Sequence, residues 1–246
     1  MKKRARTLKK KWSYPVYLTI DWDYFIPEDL TWDLSHKESQ FYHSTLWGTR
    51  GHLIRKMVTT GEENDFWPRL WNKISPPEST IVTDSHLGIW DDAGLHLSRT
   101  VVIIDQHHDV FNDASTGKVD CANWLAAWLG NDDKRRAIWV KAPHTWEDEI
   151  PSYARRKITV LKNIENLPSL LTPIGCHICR SGAWTPPWLD GKFKKFVQRS
   201  GMKLYGPLGK DLVEDAISPR WTLKDYRYLF QSIKVTNKLL YGGWRS

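Results

Sequence analysis

Six short apolar runs constrain this chain more than any other feature. They are VYLTI (16–20), STIVT (79–83), TVVII (100–104), AIWVK (137–141), KITVL (157–161) and IGCHIC (174–179). Near-continuous β-branched runs of this length are the pattern of strands buried on both faces, as in a parallel sheet. Segments with helical spacing lie between and after them. CANWLAAWLG (121–130) reads as a helix with Gly130 as its stop, and TRGHLIRKMVTT (49–60) fills an earlier gap. DGKFKKFVQRSG (190–201) and SPRWTLKDYRYLFQSIKVTNKLL (218–240) read as late amphipathic helices. The alternation predicts an α/β fold: three αβα layers around a mainly parallel sheet, with ligands bound beyond the carboxyl ends of the strands.

The 246 residues suit one large domain with a well-buried core. The start, MKKRARTLKKK, carries seven Lys or Arg in eleven positions. It predicts a basic N-terminal tail over 1–13, followed by one catalytic domain over 14–246. No apolar h-region follows the tail, so it does not read as a signal peptide. No run approaches the roughly 18 apolar residues of a membrane span. The tail is a solubilising segment or an electrostatic dock for an acidic partner. The net charge of +8 raises the alternative of a nucleic-acid-binding protein. Against that, the tail supplies seven of those charges and no RRM, KH or zinc-finger pattern appears. Of the 15 Trp, most are expected in the core and some along an aromatic groove.

Three cysteines, Cys121, Cys176 and Cys179, suit a reducing cytoplasm better than a disulfide scaffold. Cys176 and Cys179 form a CxxC within an expected strand, where positions i and i+3 face opposite ways. Core packing is therefore expected of them rather than zinc.

Acidic and imidazole residues collect where three of the runs end. IDWDYF places Asp21 and Asp23 after the first run, TDSHLG places Asp84 and His86 after the second, and IDQHHD places Asp105, His107 and Asp109 after the third. One Asp at a strand end is ordinarily a turn or cap residue. Three such clusters at one sheet edge are different, because crowded carboxylates repel and resist burial without cations. If the chain stays extended, Asp21/Asp23 and Asp105/His107/Asp109 each face one side, and His108 faces the other. Oxygen donors with some imidazole suit Mn²⁺ and similar ions. Asp84 aside, the four carboxylates and two imidazoles exceed one tetrahedral zinc and fit two metals about 3.5–4 Å apart.

On these motifs the chain resembles the arginase–deacetylase superfamily. Ureohydrolases carry a His after one strand, a D-A-H-x-D after the next and an S-x-D-x-D later. His86, IDQHHD and TIDWD are similar to these, and VDCANWLAAWL is similar to the turn and helix after the D-x-H-x-D. The likeness covers about residues 16–130. Here the D-x-D comes first, a permuted order that resembles the peptide arginases of ribosomal peptide biosynthesis. A permuted chain can build the same site, since the strands need only be neighbours in space.

The resemblance implies a hydrolase holding two Mn(II) ions and converting arginine in a precursor peptide to ornithine, with release of urea. It implies that His86, Asp105, Asp109 and Asp21 hold one ion, and that His107, Asp23 and the shared Asp105 and Asp21 hold the other. A water-derived nucleophile then attacks the guanidinium carbon. Other roles are open. His144 is the candidate proton shuttle, and Asn123 either orients substrate or caps its helix. Glu147 or Asp148 matches a guanidinium fork. Arg180 holds a substrate carboxylate or carbonyl, or pairs with a metal-ligand Asp. An acidic leader region of the peptide is a possible partner for the basic tail. The alternatives are a ureohydrolase of free arginine or agmatine and a single-metal deacetylase.

Overall fold

The computed structural model describes residues 15–27, 58–111, 117–145, 149–169 and 171–213. The basic tail, the segment 218–240 and most of 49–60 lie outside them. Residues 58–60 of that last segment are irregular rather than helical.

All six runs become strands: β1 (Val16–Asp21), β2 (Ser79–Thr83), β3 (Thr100–Asp105), β4 (Arg136–Lys141), β5 (Ile158–Leu161) and β6 (Pro173–Cys179). A seventh, β7 (Lys203–Tyr205), is an edge strand too short to leave a periodic signal. The sheet order is β5-β4-β3-β1-β6-β2-β7, and every pairing is parallel. The helices are α1 (Phe66–Trp71), α2 (Ala93–Leu97), α3 (Trp124–Gly130), α4 (Asp190–Arg199) and α5 (Gly206–Val213).

Strand parity sorts the helices into two layers. Leu18, Ile20, Val82, Val102, Ile104, Ile138 and Ile178 face one way, against Phe66 of α1, Phe193 and Phe196 of α4 and Leu208 of α5. Tyr17, Val101, Ile103, Ala137 and Trp139 face the other way, against Leu95 of α2 and Trp124, Leu125 and Trp128 of α3. The sheet is thus covered on both sides, which is why its strands read as unbroken apolar runs. Each large side chain buried this way contributes about 1.5–3 kcal/mol before the entropy of ordering is subtracted. Cys176 packs in the first of these cores and all three cysteines are free thiols, in line with packing as their role.

The strand order decides which polar ends meet. β1 lies between β3 and β6, and β2 lies one strand further on. The segments that follow β1, β2 and β3 therefore leave the same edge of the sheet within reach of one another. Among the described residues, no helix is long and apolar enough to cross a membrane.

Candidate metal centre

Asp21 and Asp105 are the last residues of β1 and β3, whose registers pair Ile20 with Ile104. Both carboxylates therefore stand side by side on the α3 face, and both are nearly inaccessible to solvent.

Neither strand continues past its aspartate, so the expected extended D-x-D and D-x-H-x-D do not form. After β1 the chain turns into a 3-10 helix, Trp22–Phe25, and the Asp21 carboxylate accepts the Asp23 N–H at 3.2 Å. Trp22 and Phe25 anchor this turn against Phe193 and Phe196, with ring centroids 5.0–5.6 Å apart. After β3 the Asp105 carboxylate accepts the His107 N–H at 2.8 Å, which bends the chain at once. Asp109 then takes a left-handed backbone, φ +53°, a conformation Asp tolerates better than most residues. Turns, not strand parity, bring Asp23, His107 and Asp109 back to the centre.

His86 arrives from β2, across the end of β6. It opens a 3-10 helix, His86–Asp91, whose first turn is capped by Ser85 accepting the Leu87 N–H at 3.1 Å. Gly88 is required two residues on, because a Cβ there would lie 2.6 Å from Thr83 Oγ1.

Six expected ligands converge. The His86 Nδ1 lies 2.8 Å from Asp109 Oδ2, 3.0 Å from Asp105 Oδ2 and 3.4 Å from Asp21 Oδ2. The His107 Nδ1 lies 3.1 Å from Asp23 Oδ2 and 3.9 Å from Asp105 Oδ1. Two groups thereby form, Asp21/His86/Asp105 and Asp23/Asp105/His107, each with donor atoms within 4.8 Å of one another and suited to hold a metal ion. Asp105 belongs to both, one oxygen turned to each. Asp109 closes on the first group and is held by the Trp124 indole N–H at 2.5 Å. Trp184 lies against the His107 ring at 4.8 Å and is half-buried, which puts part of GAWTPPW beside the site.

The electrostatics are those of a crowded, buried anionic cluster. Burial, reinforced by Asp109 and Asp23, pushes the Asp105 carboxyl up to about 7. Burial and then Asp23 and Asp105 hold Asp21 well above the usual carboxylate range. Burial opposes a charged His86, yet the flanking Asp109 and Asp105 outweigh it and raise that imidazole well above its ordinary value. His86 Nδ1 and Asp105 Oδ2 are deeply buried, and neither makes a well-aligned hydrogen bond. A divalent cation would satisfy both, so the donor set fits a metal.

Trp124→Phe keeps an aromatic ring at this position but removes the indole N–H that the Asp109 carboxylate accepts. An unsatisfied buried acceptor costs about 1–3 kcal/mol. Urea unfolding of the metal-free protein should register that loss, and an unchanged midpoint would mean that the indole bond contributes nothing.

The remaining expected site residues fare differently. His108 belongs to neither donor group, although the strand parity expected to turn it away ends at Asp105, and it is buried. Its Nδ1 accepts the Val110 N–H at 3.2 Å and its ring packs on Phe111 and Trp139. Burial lowers its pKa to about 4, which agrees with a neutral accepting ring. Asn123 stands at the N-cap position just before α3, but its side chain makes no capping hydrogen bond. Its amide is used up by the Asp120 N–H and the Lys118 carbonyl, while Asp120 accepts the N–H groups of Ala122 and Asn123. Neither role expected of Asn123 is what its side chain does here. Arg180 is buried and shared between Asp84 at 2.6 Å and Asp190 at 3.6 Å, neither of which belongs to the expected ligand set. His144 follows β4 on a loop pinned to β3, through Ala142 N–H to the Asp105 carbonyl and the Thr145 hydroxyl to the Gln106 carbonyl. Glu147 and Asp148 lie outside the described residues.

A row of residues went unread in the sequence. Thr19, His177 and Thr83 lie on β1, β6 and β2, on the same face as Asp21 and Asp105, and hydrogen-bond in series behind His86. The available signal was a polar residue inside an apolar run, His177 in IGCHIC and Thr19 in VYLTI.

Fold and site together define an α/β protein with a buried acid–imidazole cluster at the carboxyl edge of a parallel sheet. Comparison with family models, curated proteins and solved structures finds no match of any of the three kinds.

Proposed function

We propose that the chain is a binuclear metal-dependent hydrolase of a guanidino group, converting peptidyl arginine to ornithine with release of urea. The observation that supports it is the division of Asp105 between two donor groups, one oxygen 3.0 Å from His86 and the other 3.9 Å from His107. His86, Asp21, Asp109 and Asp105 would hold one ion, and His107, Asp23, Asp105 and Asp21 the other. Hard oxygen donors with two imidazoles favour Mn(II). Two such ions would supply a Lewis acid and make water nucleophilic at neutral pH.

The chain's own residues have the remaining tasks. The buried carboxylates keep competing bulk water from the centre and place a cationic guanidinium next to negative charge. His144 donates the proton that the leaving amine needs. Its Nε2 is buried and makes no hydrogen bond among the described residues, and its loop is tied to the β3 turn. Trp184, beside His107, offers an apolar wall to the substrate's alkyl stem. The choice of a peptide over free arginine rests on the motif order and on the basic tail as a dock for an acidic leader.

The full chain, loaded with Mn²⁺, is tested on an arginine-containing precursor peptide. The expected result is release of urea and a mass loss of CN₂H₂ per arginine converted. L-Arginine, agmatine and an acetyl-lysine peptide run in parallel. Turnover of the free amino acid or agmatine alone would reassign the substrate, and deacetylation alone would reassign the reaction. No turnover of any arginine substrate by metal-loaded protein would sink the proposal.

A further inference from the structure

Behind His86 the hydrogen bonds have a direction that can be worked out from their far end. Thr83 Oγ1 lies 2.7 Å from the Ser85 carbonyl, which can only accept, so the hydroxyl proton is spent there. The same oxygen lies 2.8 Å from His177 Nε2, and that nitrogen must therefore donate. His177 has no solvent exposure, and its two ring nitrogens face threonine hydroxyls. A charged imidazole among neutral hydroxyls would carry a large desolvation cost, so the ring holds one proton. Its Nδ1 then accepts, and the donor is the Thr19 hydroxyl at 3.1 Å. With its own proton spent on His177, Thr19 Oγ1 accepts from His86 Nε2 at 2.8 Å.

The chain of donation ends at the candidate metal centre. With a proton held on Nε2, the nitrogen left to give a lone pair to a cation is Nδ1, which faces Asp21, Asp105 and Asp109. Register supports the path: Thr19 is the partner of His177 across β1 and β6, and Thr83 lies on β2 at the far side of β6. Reversing any one bond would reverse all of them and put a proton where the lone pair belongs.

Building on the metal-centre reading, we propose that Thr83, His177 and Thr19 are positioning residues that lock His86 in its Nε2–H tautomer. The lock presents Nδ1 to a divalent cation. No residue of the relay touches the substrate. The relay acts by denying His86 its other tautomer, and thereby raises the affinity of the site for metal. Ligand-orienting partners of this kind are worth about 10- to 100-fold in metal affinity.

Two measurements on the full chain test this. Long-range ¹H–¹⁵N correlation of ¹⁵N-histidine-labelled, metal-free protein reads the His177 tautomer directly. The expected pattern is a protonated Nε2 and a bare Nδ1. A protonated Nδ1 in the wild type overturns the relay whether or not metal binds. In Thr83→Val, which removes the acceptor of His177 Nε2–H, the tautomer should switch, and failure to switch also counts against the relay. Mn²⁺ titration followed by EPR then compares wild type, Thr19→Val and Thr19→Ser. Thr19→Val should bind about 10- to 100-fold more weakly, with Thr19→Ser restored to near wild type. Equal affinity of the Val variant and the wild type would overturn the proposal. Absence of Mn²⁺ binding by the wild type would instead remove the metal-centre reading, while the His177 spectrum still decides the polarity of the relay.

Discussion

Asp105→Asn is expected to empty both halves of the centre at once. Asp105 is the residue common to the two donor groups, and its carboxylate turns one oxygen to each. Asn supplies one neutral oxygen and an NH₂, which repels a cation. Metal analysis should find two equivalents of Mn²⁺ in the wild type and none in the variant. His107→Ala, which touches only the second group, should keep one. Two-metal catalysis supplies several kcal/mol of transition-state stabilisation, and every 1.36 kcal/mol or so is tenfold in rate. Turnover should therefore fall by at least about a thousandfold. The fold should survive, because Asn can still accept the His107 N–H that Asp105 takes at 2.8 Å. Relief of a buried negative charge should leave the metal-free variant at least as stable to urea as the metal-free wild type. A variant that keeps its metal would refute the shared-ligand role.

The second large effect is a pH-dependent stabilisation by metal. In the metal-free protein the Asp105 carboxyl is raised from 3.8 to about 7. A raised carboxyl binds its proton more tightly in the folded state than in the unfolded one. Between about pH 4 and 7 the folded form therefore holds protons that the unfolded form has lost, and stability falls as pH rises through 7. Metal reverses the trend, because a cation replaces the proton and binds better as the carboxylate ionises. At a free Mn²⁺ concentration a hundred times Kd the gain is about 2.7 kcal/mol. For a chain of this size that is roughly 5–10 °C in Tm. The rise in Tm on adding Mn²⁺ should be clearly larger at pH 8 than at pH 6. A rise that does not depend on pH would show that the ion binds somewhere other than the raised carboxyls.

The buried Asp and His groups that could hold a metal were legible in the sequence, although part of the reasoning that led to them does not match the structure. Alternation along an extended strand was expected to align Asp21 with Asp23, and Asp105 with His107 and Asp109. The strands stop at Asp21 and Asp105 instead. A 3-10 turn anchored by Trp22 and Phe25 returns Asp23, and a left-handed Asp109 held by Trp124 completes the third cluster. Turn geometry of this kind depends on which aromatic side chains pack beneath it, and those partners are more than a hundred residues away at Phe193 and Phe196. Arg180 and Asn123 show the same limit. A guanidinium or an amide near a site is a candidate for substrate contact by composition alone, and only the positions of Asp84, Asp190, Lys118 and Asp120 reveal that both groups are already engaged.

Six of the seven described strands, and the chemistry at their ends, were written in local pattern. Apolar β-branched runs bury on both faces wherever they pack, and carboxylates crowded at their ends demand cations in any arrangement that brings them together. Tertiary structure decided the order of the strands, and the order decided everything that depends on distance. Because β6 inserts between β1 and β2, His177 falls between Thr19 and Thr83, and His86 reaches Asp21 across the end of an intervening strand. Hydrogen bonds reach about 3 Å, so no reading of local pattern could have joined residues 19, 83, 86 and 177 before the sheet did.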